Sequence, residues 1–467
     1  MNFISLTFVI FVLVTLFCYN FVSQKFKLVV LLASSYIFYS TWDWRFSFLL
    51  LYLTVSNFLF SKLMIKKDKL RDKQKVLTVC LFQNLIILGI FKYTNFFIES
   101  LAAFLRALGI QVNYSSLRII LPLGLSFFIF QTSSYIIDLY RNDIKAEVSF
   151  LNFATFVSYF PHMAAGPIMK AKDFLPQLKK ELPKLTLTNF QNGLMLISLG
   201  LMRKVVLADQ LAPFVNRTYE NWKYFDWKVL VLATLAFGLQ IYGDFSGYSL
   251  IARGVSRIFG IEMMNNFRQP YLASSPSDFW HRWHISLSTW FRDYLYVPIG
   301  GNRSKTFKKY FNLIIVMTIA GFWHGAAWGF ILWGFLHGIY LVLDKLLKVY
   351  FYKSTDNEKF RVLISWFITQ CLMFGTWIFF RLPDVNSAFD YINSIIKRQT
   401  GALDFSDLSL VFIGTIIFLV LDFLEIYLIR NINKISDFVR GLVISAFIST
   451  SLVFKSATII PFIYFRF

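Results

Sequence analysis

Cysteine is scarce in this chain of 467 residues. Its three cysteines, Cys18, Cys80 and Cys371, are far apart, and each lies in an apolar run. Disulfide frameworks and zinc sites need cysteines grouped at short spacings. We therefore expect neither a disulfide-stabilised fold nor a bound metal ion. The patterns HExxH, CxxC, GxSxG and the Walker phosphate loop are also missing, so the chemistries that depend on them fit poorly.

Charged residues are scarce as well, at 16% of the chain against roughly 25% in an ordinary soluble domain. Apolar residues make up 57%. A soluble monomer of this composition would expose more hydrophobic surface than such proteins tolerate, whereas a bilayer accommodates it. Acidic residues are fewer than basic residues, 26 against 47, which gives a net charge of +21. Because Lys and Arg collect in the cytoplasmic loops of membrane proteins, we expect no nucleic-acid partner.

Apolar stretches long enough to cross about 30 Å of hydrocarbon recur along the whole chain. They lie near residues 5–23, 28–43, 46–65, 76–93, 118–137, 147–168, 187–212, 228–251, 311–333, 335–351, 361–381, 408–429 and 440–462. Some of them would be re-entrant or interfacial. We predict an all-α, polytopic membrane protein with about eleven transmembrane helices around a central funnel. With no repeat or linker, residues 1–467 form a single membrane domain in this prediction. The first stretch is too long and too weakly basic at its start for a cleaved signal peptide, so we expect it to be retained.

Basic residues are distributed unevenly around the first three stretches. Lys25 and Lys27 follow the first, and six basic residues between 66 and 75 follow the third. The positive-inside rule then places the N-terminus outside the cytoplasm. The basic loops at 170–184 and 303–309 are further candidates for the cytoplasmic side.

The segment 265–303 lies between apolar stretches, yet it is dense in Trp, His, Arg, Asp and Pro. It is too polar to cross lipid alone, so it must be buried in protein or line a wet cavity. A continuous helix through 278–294 would place Trp283 and His284 on its apolar face and His281 off that face. Such a face is also typical of an interfacial amphipathic helix, and His284 could equally be a core histidine.

Histidine is limited to five residues. His324 lies in GFWHGAAWG (321–329), inside an apolar stretch where ionisable groups usually face a bundle interior or a cavity, although many only stabilise. The glycines of this segment recur every four residues, which lets a helix or a substrate chain approach the backbone closely. In one continuous helix, His337 would point about 220° away from His324. We interpret His337 and His162 as structural. The sequence thus predicts a membrane-embedded cavity with one or two neutral histidines, suited to general-base chemistry.

Three acidic or basic residues leave two interpretations open. Asp244, in YGDFSGY (242–248), could orient a histidine or hold an arginine, and a structural ion pair explains it equally well. Arg292 and Asp293 pose the same alternative.

Several segments of the chain resemble the membrane-bound O-acyltransferase (MBOAT) family, in particular its bacterial branch that acetylates alginate and peptidoglycan. They are YGDFSGY, NFRQPY (266–271), FWHRWHISLSTWFRDYLY (279–296), PIGGNR (298–303) and FWHGAAW (322–328), with LPLGLSF (121–127) and AGPI (165–168) upstream. They span a core of about 121–342, and the flanks match only as apolar stretches.

The resemblance implies that an acyl group, acetyl by analogy, passes from a cytoplasmic thioester such as acetyl-CoA to a hydroxyl across the membrane, with no bound cofactor. It implies that His324 is the general base and that His284 positions the donor or polarises its carbonyl. Supporting roles in this interpretation fall to Trp283, Trp323, Asp244, Arg292, Asp293 and Asn302. The partners it implies are membrane lipid, an acyl-CoA or acyl carrier protein, and an extracytoplasmic SGNH-type acetyltransferase. The resemblance also implies the cytoplasmic membrane of a bacterium as the location.

Two alternatives remain at this point. A D-alanyl exporter for teichoic acids would use a carrier-protein thioester, although PIGGNR and FWHGAAW look more like the acetyl branch. A transporter or flippase without chemistry would use His324 as a proton relay. An acyltransferase requires an acyl thioester, whereas a transporter consumes none, so this requirement distinguishes the two functions.

Overall fold

A computed structural model of the chain describes residues 2–117, 119–163, 166–303, 305–351, 358–403, 405–431, 434–456 and 460–463. In these ranges the protein is helical and has no β-strand, apart from an isolated bridge between Phe225 and Ala402. The all-α prediction is therefore confirmed. Ala165, which opens the AGPI segment, and Ser304, in the basic loop 303–309, lie outside the described residues.

Six of the described helical stretches are long and apolar enough to cross a membrane. They are Arg45–Ile65, Leu70–Ala107, Trp227–Ile258, Trp328–Lys348, Lys359–Arg381 and Asp407–Ile429. The polytopic character is thus confirmed, whereas the number of about eleven crossings is not.

The first of two compact units comprises Met1–Asn189 and Val255–Met263. Its helices are α1 Leu6–Phe21, α2 Gln24–Asp43, α3 Arg45–Ile65, α4 Leu70–Leu88, α5 Thr94–Ala107, α6 Leu125–Tyr140, α7 Phe150–Ser158, α8 Phe160–Met163 and α9 Ala171–Lys179. Polar side chains join α3 to α4 in its interior, where the amides of Asn57 and Asn84 donate to each other at 3.1 Å. Hydrogen bonds of this kind hold helices together where lipid offers no hydrophobic driving force.

The second unit comprises Phe190–Gly254 and Met264–Phe467. The helices that lie wholly or mostly in this unit are α10 Leu187–Leu201, α11 Asp209–Glu220, α12 Trp227–Ile258, α13 Pro276–Arg282, α14 Ile285–Phe291, α15 Thr306–His324, α16 Trp328–Phe351, α17 Glu358–Arg381, α18 Val385–Ile396, α19 Phe405–Arg430 and α20 Asp437–Val453. Short π-helical turns at Met202–Ala208 and Arg292–Tyr296 extend α10 and α14. Insertions of this type are frequent at functional sites.

The predicted single span at 311–333 is wrong, because α15 ends at His324 and α16 begins at Trp328. Gly325 is extended, and the two helices fold back on each other as a tight hairpin. A Cβ on Gly321 would lie 2.2 Å from the carbonyl oxygen of Phe330 and 2.9 Å from Gly334 Cα. The glycines therefore allow α15 and α16 to pack closely. The break between the two helices leaves His324 at the end of α15.

The predicted continuous helix through 278–294 is also interrupted. Helix α13 ends at Arg282, α14 begins at Ile285, and His284 between them has a φ of +43°. The cause lies outside the helix: the backbone N–H of Ile285 donates to the carbonyl of Asn266 at 2.9 Å. This contact replaces a bond within the helix, so His284 leaves the helical face on which the periodicity placed it.

We expect Gly334→Ala to destabilise the second unit by about 1–3 kcal/mol, because the added methyl group overpacks the hairpin. It would meet the carbonyl oxygen of Met317 at 2.3 Å. Thermal unfolding of the purified protein in detergent measures the effect. Gly375→Ala is the matched control, since a Cβ at that position of α17 has no neighbour within 4 Å. Equal unfolding temperatures for the two variants would contradict the close packing of α15 on α16.

Candidate active site

Two of the five histidines meet inside the second unit. His284 comes from the break between α13 and α14, and His324 comes from the last residue of α15. Their ring centroids are 6.3 Å apart, and their exposed fractions are 0% and 3%. The fold therefore brings together the two histidines that the sequence singled out.

Aromatic rings enclose this pair. The ring centroid of Trp323 is 5.1 Å from that of His324 and 6.3 Å from that of His284. Trp333 and Phe380 approach the other sides of His324, with centroids at 5.2 and 5.5 Å. Such walls exclude water and provide a medium in which charge on an imidazole is costly.

His284 is held by polar contacts at one ring edge and by an aromatic face at another. Its Nδ1 lies 3.3 Å from the Oδ1 of Asn266, and its ring packs edge-on against Phe245 at 4.7 Å. Burial lowers the pKa of His284 to about 3, because the imidazolium would lose its hydration. The ring is therefore neutral near pH 7 and can act as an acceptor of a proton or a hydrogen bond.

The remaining histidines have other surroundings. Both ring nitrogens of His337 have a partner, as expected of a structural histidine: Nδ1 accepts from Trp280 Nε1 at 3.3 Å, and Nε2 donates to Thr376 Oγ1 at 3.2 Å. His281 is exposed, and its Nδ1 lies 2.6 Å from the carbonyl of Ser277. In the first unit, His162 is buried against the side-chain amide of Gln131.

Asp244 is engaged in an ion pair. Its Oδ1 lies 2.7 Å from Lys204 Nζ, and its Oδ2 accepts from the backbone N–H of Ile463 at 2.6 Å. Lys204 also contacts Asp209 at 2.7 Å. Of the interpretations left open by the sequence, the structure therefore supports the ion pair, with a lysine as the partner. Trp283 is fully buried and packs on Trp377 at 4.9 Å.

Arg292, Asp293 and Asn302 lie toward the surface. Arg292 pairs with its neighbour Asp293 at 2.7 Å and keeps 56% of its side chain exposed. Asn302 accepts a hydrogen bond from the hydroxyl of Tyr296 at 3.0 Å and faces Lys345 Nζ at 3.4 Å. None of these contacts involves His284 or His324.

A cavity of about 370 Å³ lies between α14, α15 and α16. Most of its buried lining is apolar: Trp280, Leu287, Phe291, Val316, Met317, Ala320 and Leu341. Its polar and charged lining comprises Ser277, His281, Ser288, Thr289, Arg292, Tyr296, Asn302 and Lys345. Ala320 precedes His324 by one helical turn. A cavity of this kind suits a long molecule with an apolar or neutral end and an anionic end.

Sequence reasoning missed three residues of this region. Asn266 contacts His284, Trp333 packs on His324, and Lys345 lines the cavity. The one available signal was the position of Asn266 at the start of NFRQPY. Trp333 and Lys345 lie in an apolar helix where nothing in the pattern marks them.

Comparison with known proteins agrees with this geometry. The profile of the MBOAT, membrane-bound O-acyltransferase family matches residues 37–382. The probable alginate O-acetylase AlgI of Azotobacter vinelandii is 37% identical over 374 residues, which cover 78% of this chain and 72% of the relative. The peptidoglycan O-acetyltransferase of Helicobacter pylori is 34% identical over 397 residues, with 79% and 73% covered. The teichoic acid D-alanyltransferase of Streptococcus thermophilus is 32% identical over only 234 residues, with 48% and 56% covered. The chain therefore belongs to the membrane-bound O-acyltransferase family and is a multi-pass membrane O-acyltransferase.

Proposed function

We propose that this enzyme takes an acetyl group from a cytoplasmic thioester and transfers it to a hydroxyl acceptor, for the O-acetylation of a cell-surface polysaccharide or peptidoglycan. The observation that carries the proposal is the pair of buried histidines, with ring centroids 6.3 Å apart, together with a cavity that reaches Ile285, the residue after His284, and Ala320, one helical turn before His324. The buried lining of this cavity is mostly apolar, and its charged lining residues, Arg292 and Lys345, are both basic. The O-acetylation of alginate and peptidoglycan for which these relatives are named supports the choice of acyl group and acceptor class.

The cavity fits acetyl-CoA as the donor. Arg292 and Lys345 offer two cations for the phosphates of CoA, while the apolar stretch toward Ala320 takes the uncharged pantetheine arm. The thioester would then lie near the end of α15, where His324 is located. A carrier protein bearing the same phosphopantetheine arm fits this cavity chemically, which is why the donor must be tested directly.

In the proposed reaction, neutral His324 removes the proton of the acceptor hydroxyl as the oxygen attacks the thioester carbonyl. A C–O bond forms, and collapse of the tetrahedral intermediate breaks the C–S bond. The departing thiolate takes the proton back from His324, so the histidine is regenerated. The intermediate needs a hydrogen-bond donor for its oxyanion. The indole N–H of Trp333 is a candidate, since it is buried and has no acceptor among the described residues.

The proposed orientation of the protein in the membrane follows from the distribution of its basic residues. The basic loops 170–184 and 303–309 face the cytoplasm, and the N-terminus lies outside it. Asn302, at the cavity, immediately precedes the second of these loops, so the donor enters from the cytoplasm. An extracytoplasmic SGNH-type acetyltransferase would receive the acetyl group on the other side, at the cytoplasmic membrane of the bacterium.

The test is donor-dependent turnover by the purified protein in liposomes. We expect release of CoA and transfer of radiolabelled acetyl groups from acetyl-CoA to a soluble hydroxyl acceptor. Activity with a D-alanyl carrier protein and none with acetyl-CoA would move the assignment to D-alanyl transfer. Transport of an intact substrate without thioester cleavage would contradict the proposal altogether.

Lys345→Gln is expected to raise the KM for acetyl-CoA about 5-fold and to leave kcat nearly unchanged, because a partly exposed charge pair contributes about 1 kcal/mol to binding. Acetyl-pantetheine, which lacks the nucleotide phosphates, should show no such increase in KM. Lys348→Gln is the matched control, since this lysine lies on the same helix but pairs with Asp344 at 2.9 Å. An unchanged KM for acetyl-CoA in the Lys345 variant, or the same fold increase in KM for both donors, would place the CoA phosphates elsewhere.

A further inference from the structure

We propose that Asn266 is a positioning residue that fixes His284 in its Nδ1–H tautomer, so that Nε2 of His284 serves the reaction as a hydrogen-bond acceptor. The inference rests on the proposed function, because it assigns His284 a role in the same site. It also changes that role: a neutral ring that presents Nε2 as an acceptor cannot polarise the thioester carbonyl from that atom.

The orientation of the Asn266 side chain follows from its neighbours. The backbone N–H of Ser286 can only donate, and it lies 3.1 Å from the side-chain atom placed as Oδ1. The hydroxyl of Ser286 lies 2.9 Å from the same atom. An amide nitrogen at this position would face a second donor, so the atom must be the oxygen.

The tautomer of His284 follows from that oxygen. Its Nδ1 lies 3.3 Å from Oδ1 of Asn266, and an amide oxygen only accepts. The Ser286 hydroxyl is 3.5 Å from Nδ1, but its single proton is already donated to Asn266 at the shorter distance. Nδ1 therefore carries the hydrogen. In a neutral imidazole this leaves the lone pair on Nε2, which is buried and has no donor among the described residues.

Asn266 also holds the backbone that carries the ring. Its carbonyl accepts from Ile285, and its side chain accepts from Ser286, on the two residues that follow His284. These bonds maintain the φ of +43° at His284, a conformation that is uncommon for a residue with a Cβ. A strained backbone that is held by a fully buried amide is typical of a preorganised functional group.

The choice of an amide over a carboxylate has a chemical consequence. An aspartate would accept the same hydrogen bonds, but its charge would stabilise the imidazolium form of His284. Asn266 keeps the ring neutral. The titratable groups on the elements around it are otherwise engaged: on α12, Asp244 pairs with Lys204 and Tyr242 bonds to Asp422, and on α13, Asp278 pairs with Arg282. Among the residues that the structure describes, His324 has a titratable ring within 6.3 Å of that of His284.

Nε2 of His284 and His324 then face a shared space. With their centroids 6.3 Å apart, the two rings are too distant for a direct hydrogen bond, but a hydroxyl can lie between them. A sugar acceptor with neighbouring hydroxyls fits this space. One hydroxyl donates its proton in a hydrogen bond to Nε2 of His284 and so orients the acceptor. The neighbouring hydroxyl loses its proton to His324 as its oxygen attacks the thioester.

Kinetics of Asn266→Ala and Asn266→Asp test the assignment. We expect kcat to fall about 10- to 100-fold in the alanine variant, the range found when an orienting partner is removed, with an unchanged KM for acetyl-CoA. The aspartate variant should recover most of the activity at its own optimum, with the acidic limb of the pH–rate profile, which reports the loss of a proton from His284, displaced to higher pH by one unit or more. Asn312→Ala is the control, since this buried asparagine of α15 donates to Ile299 instead. Its profile should match the wild type.

Solid-state ¹⁵N NMR of histidine-labelled protein provides a second test, which does not depend on enzymatic turnover. The chain has five histidines, and a His284→Gln sample identifies the signal of His284. We expect a neutral ring with the proton on Nδ1, and a change to imidazolium in the aspartate variant. A proton on Nε2, or identical pH profiles in the two variants of Asn266, would overturn the inference. Inactivity of the wild type toward acetyl-CoA with a proton on Nδ1 would contradict the proposed donor and leave the inference standing.

Discussion

His324→Ala is expected to lower the rate of acyl transfer by about 10²–10⁴-fold, the usual contribution of a general base. His324 is 3% exposed and lies among Trp323, Trp333 and Phe380, where water is a poor substitute for the missing imidazole. The substitution removes a ring at the end of α15 without adding volume, so the hairpin should keep its fold. Release of CoA and label transfer from radiolabelled acetyl-CoA, in liposomes, measure the loss.

The control for this variant is His337→Gln. His337 is as deeply buried as His324 and lies on the partner helix α16, yet its ring bonds to Trp280 and Thr376. We expect it to lose some thermal stability and to keep most of its turnover. A His324→Ala protein that unfolds at the wild-type temperature and turns over at the wild-type rate would remove His324 from the mechanism. Similar losses in both variants would indicate a packing role for His324.

The sequence was sufficient for the class of fold, and it singled out the two histidines that the fold brings together. Composition alone predicts a polytopic helical protein, and the scarcity of histidine directs attention to His284 and His324. The sequence could not predict the helix break after His324, because residues 311–333 are predominantly apolar and their periodicity suits one helix. The break depends on contacts with other segments: α15 packs on Gly334, and the carbonyl of Pro383 accepts the N–H of Gly329.

The same limit applies to polar partners. A lone asparagine carries no recognisable chemistry, so the role of Asn266 becomes visible only when the fold places its Oδ1 beside three donors. For Asp244, the sequence left an ion pair and a catalytic contact equally open. The lysine that binds Asp244 lies on the π-helical turn after α10, and no spacing rule connects the two positions.

Arg203→Met is expected to destabilise the second unit by about 3–5 kcal/mol, because it leaves two carboxylates buried without their cation. Arg203 is 1% exposed, and its Nη2 contacts both Asp422 and Glu425 of α19, the latter at 2.6 Å. Arg282→Met is the matched control, since Arg282 pairs with Asp278 and both side chains keep 34% of their surface exposed. Its loss should be within about 1 kcal/mol. Unfolding temperature and the yield of monodisperse protein in detergent distinguish the two.

Neutral partners should rescue the Arg203 variant. In Arg203→Met combined with Asp422→Asn and Glu425→Gln, no buried charge remains, and we expect most of the stability to return. Failure of this rescue would show that the guanidinium is needed for its shape and hydrogen bonds, and not for its charge.

The cluster around Arg203 also anchors the segment that carries Asn266. Gln269, three residues further on, donates to Glu425 at 3.0 Å, and the hydroxyl of Tyr242 donates to Asp422 at 2.8 Å. Loss of Arg203 should therefore lower kcat in the fraction that still folds, while the KM for acetyl-CoA stays unchanged because the cavity between α14, α15 and α16 is intact. A folded Arg203→Met protein with wild-type kcat would show that Asn266 keeps its position without the charge cluster.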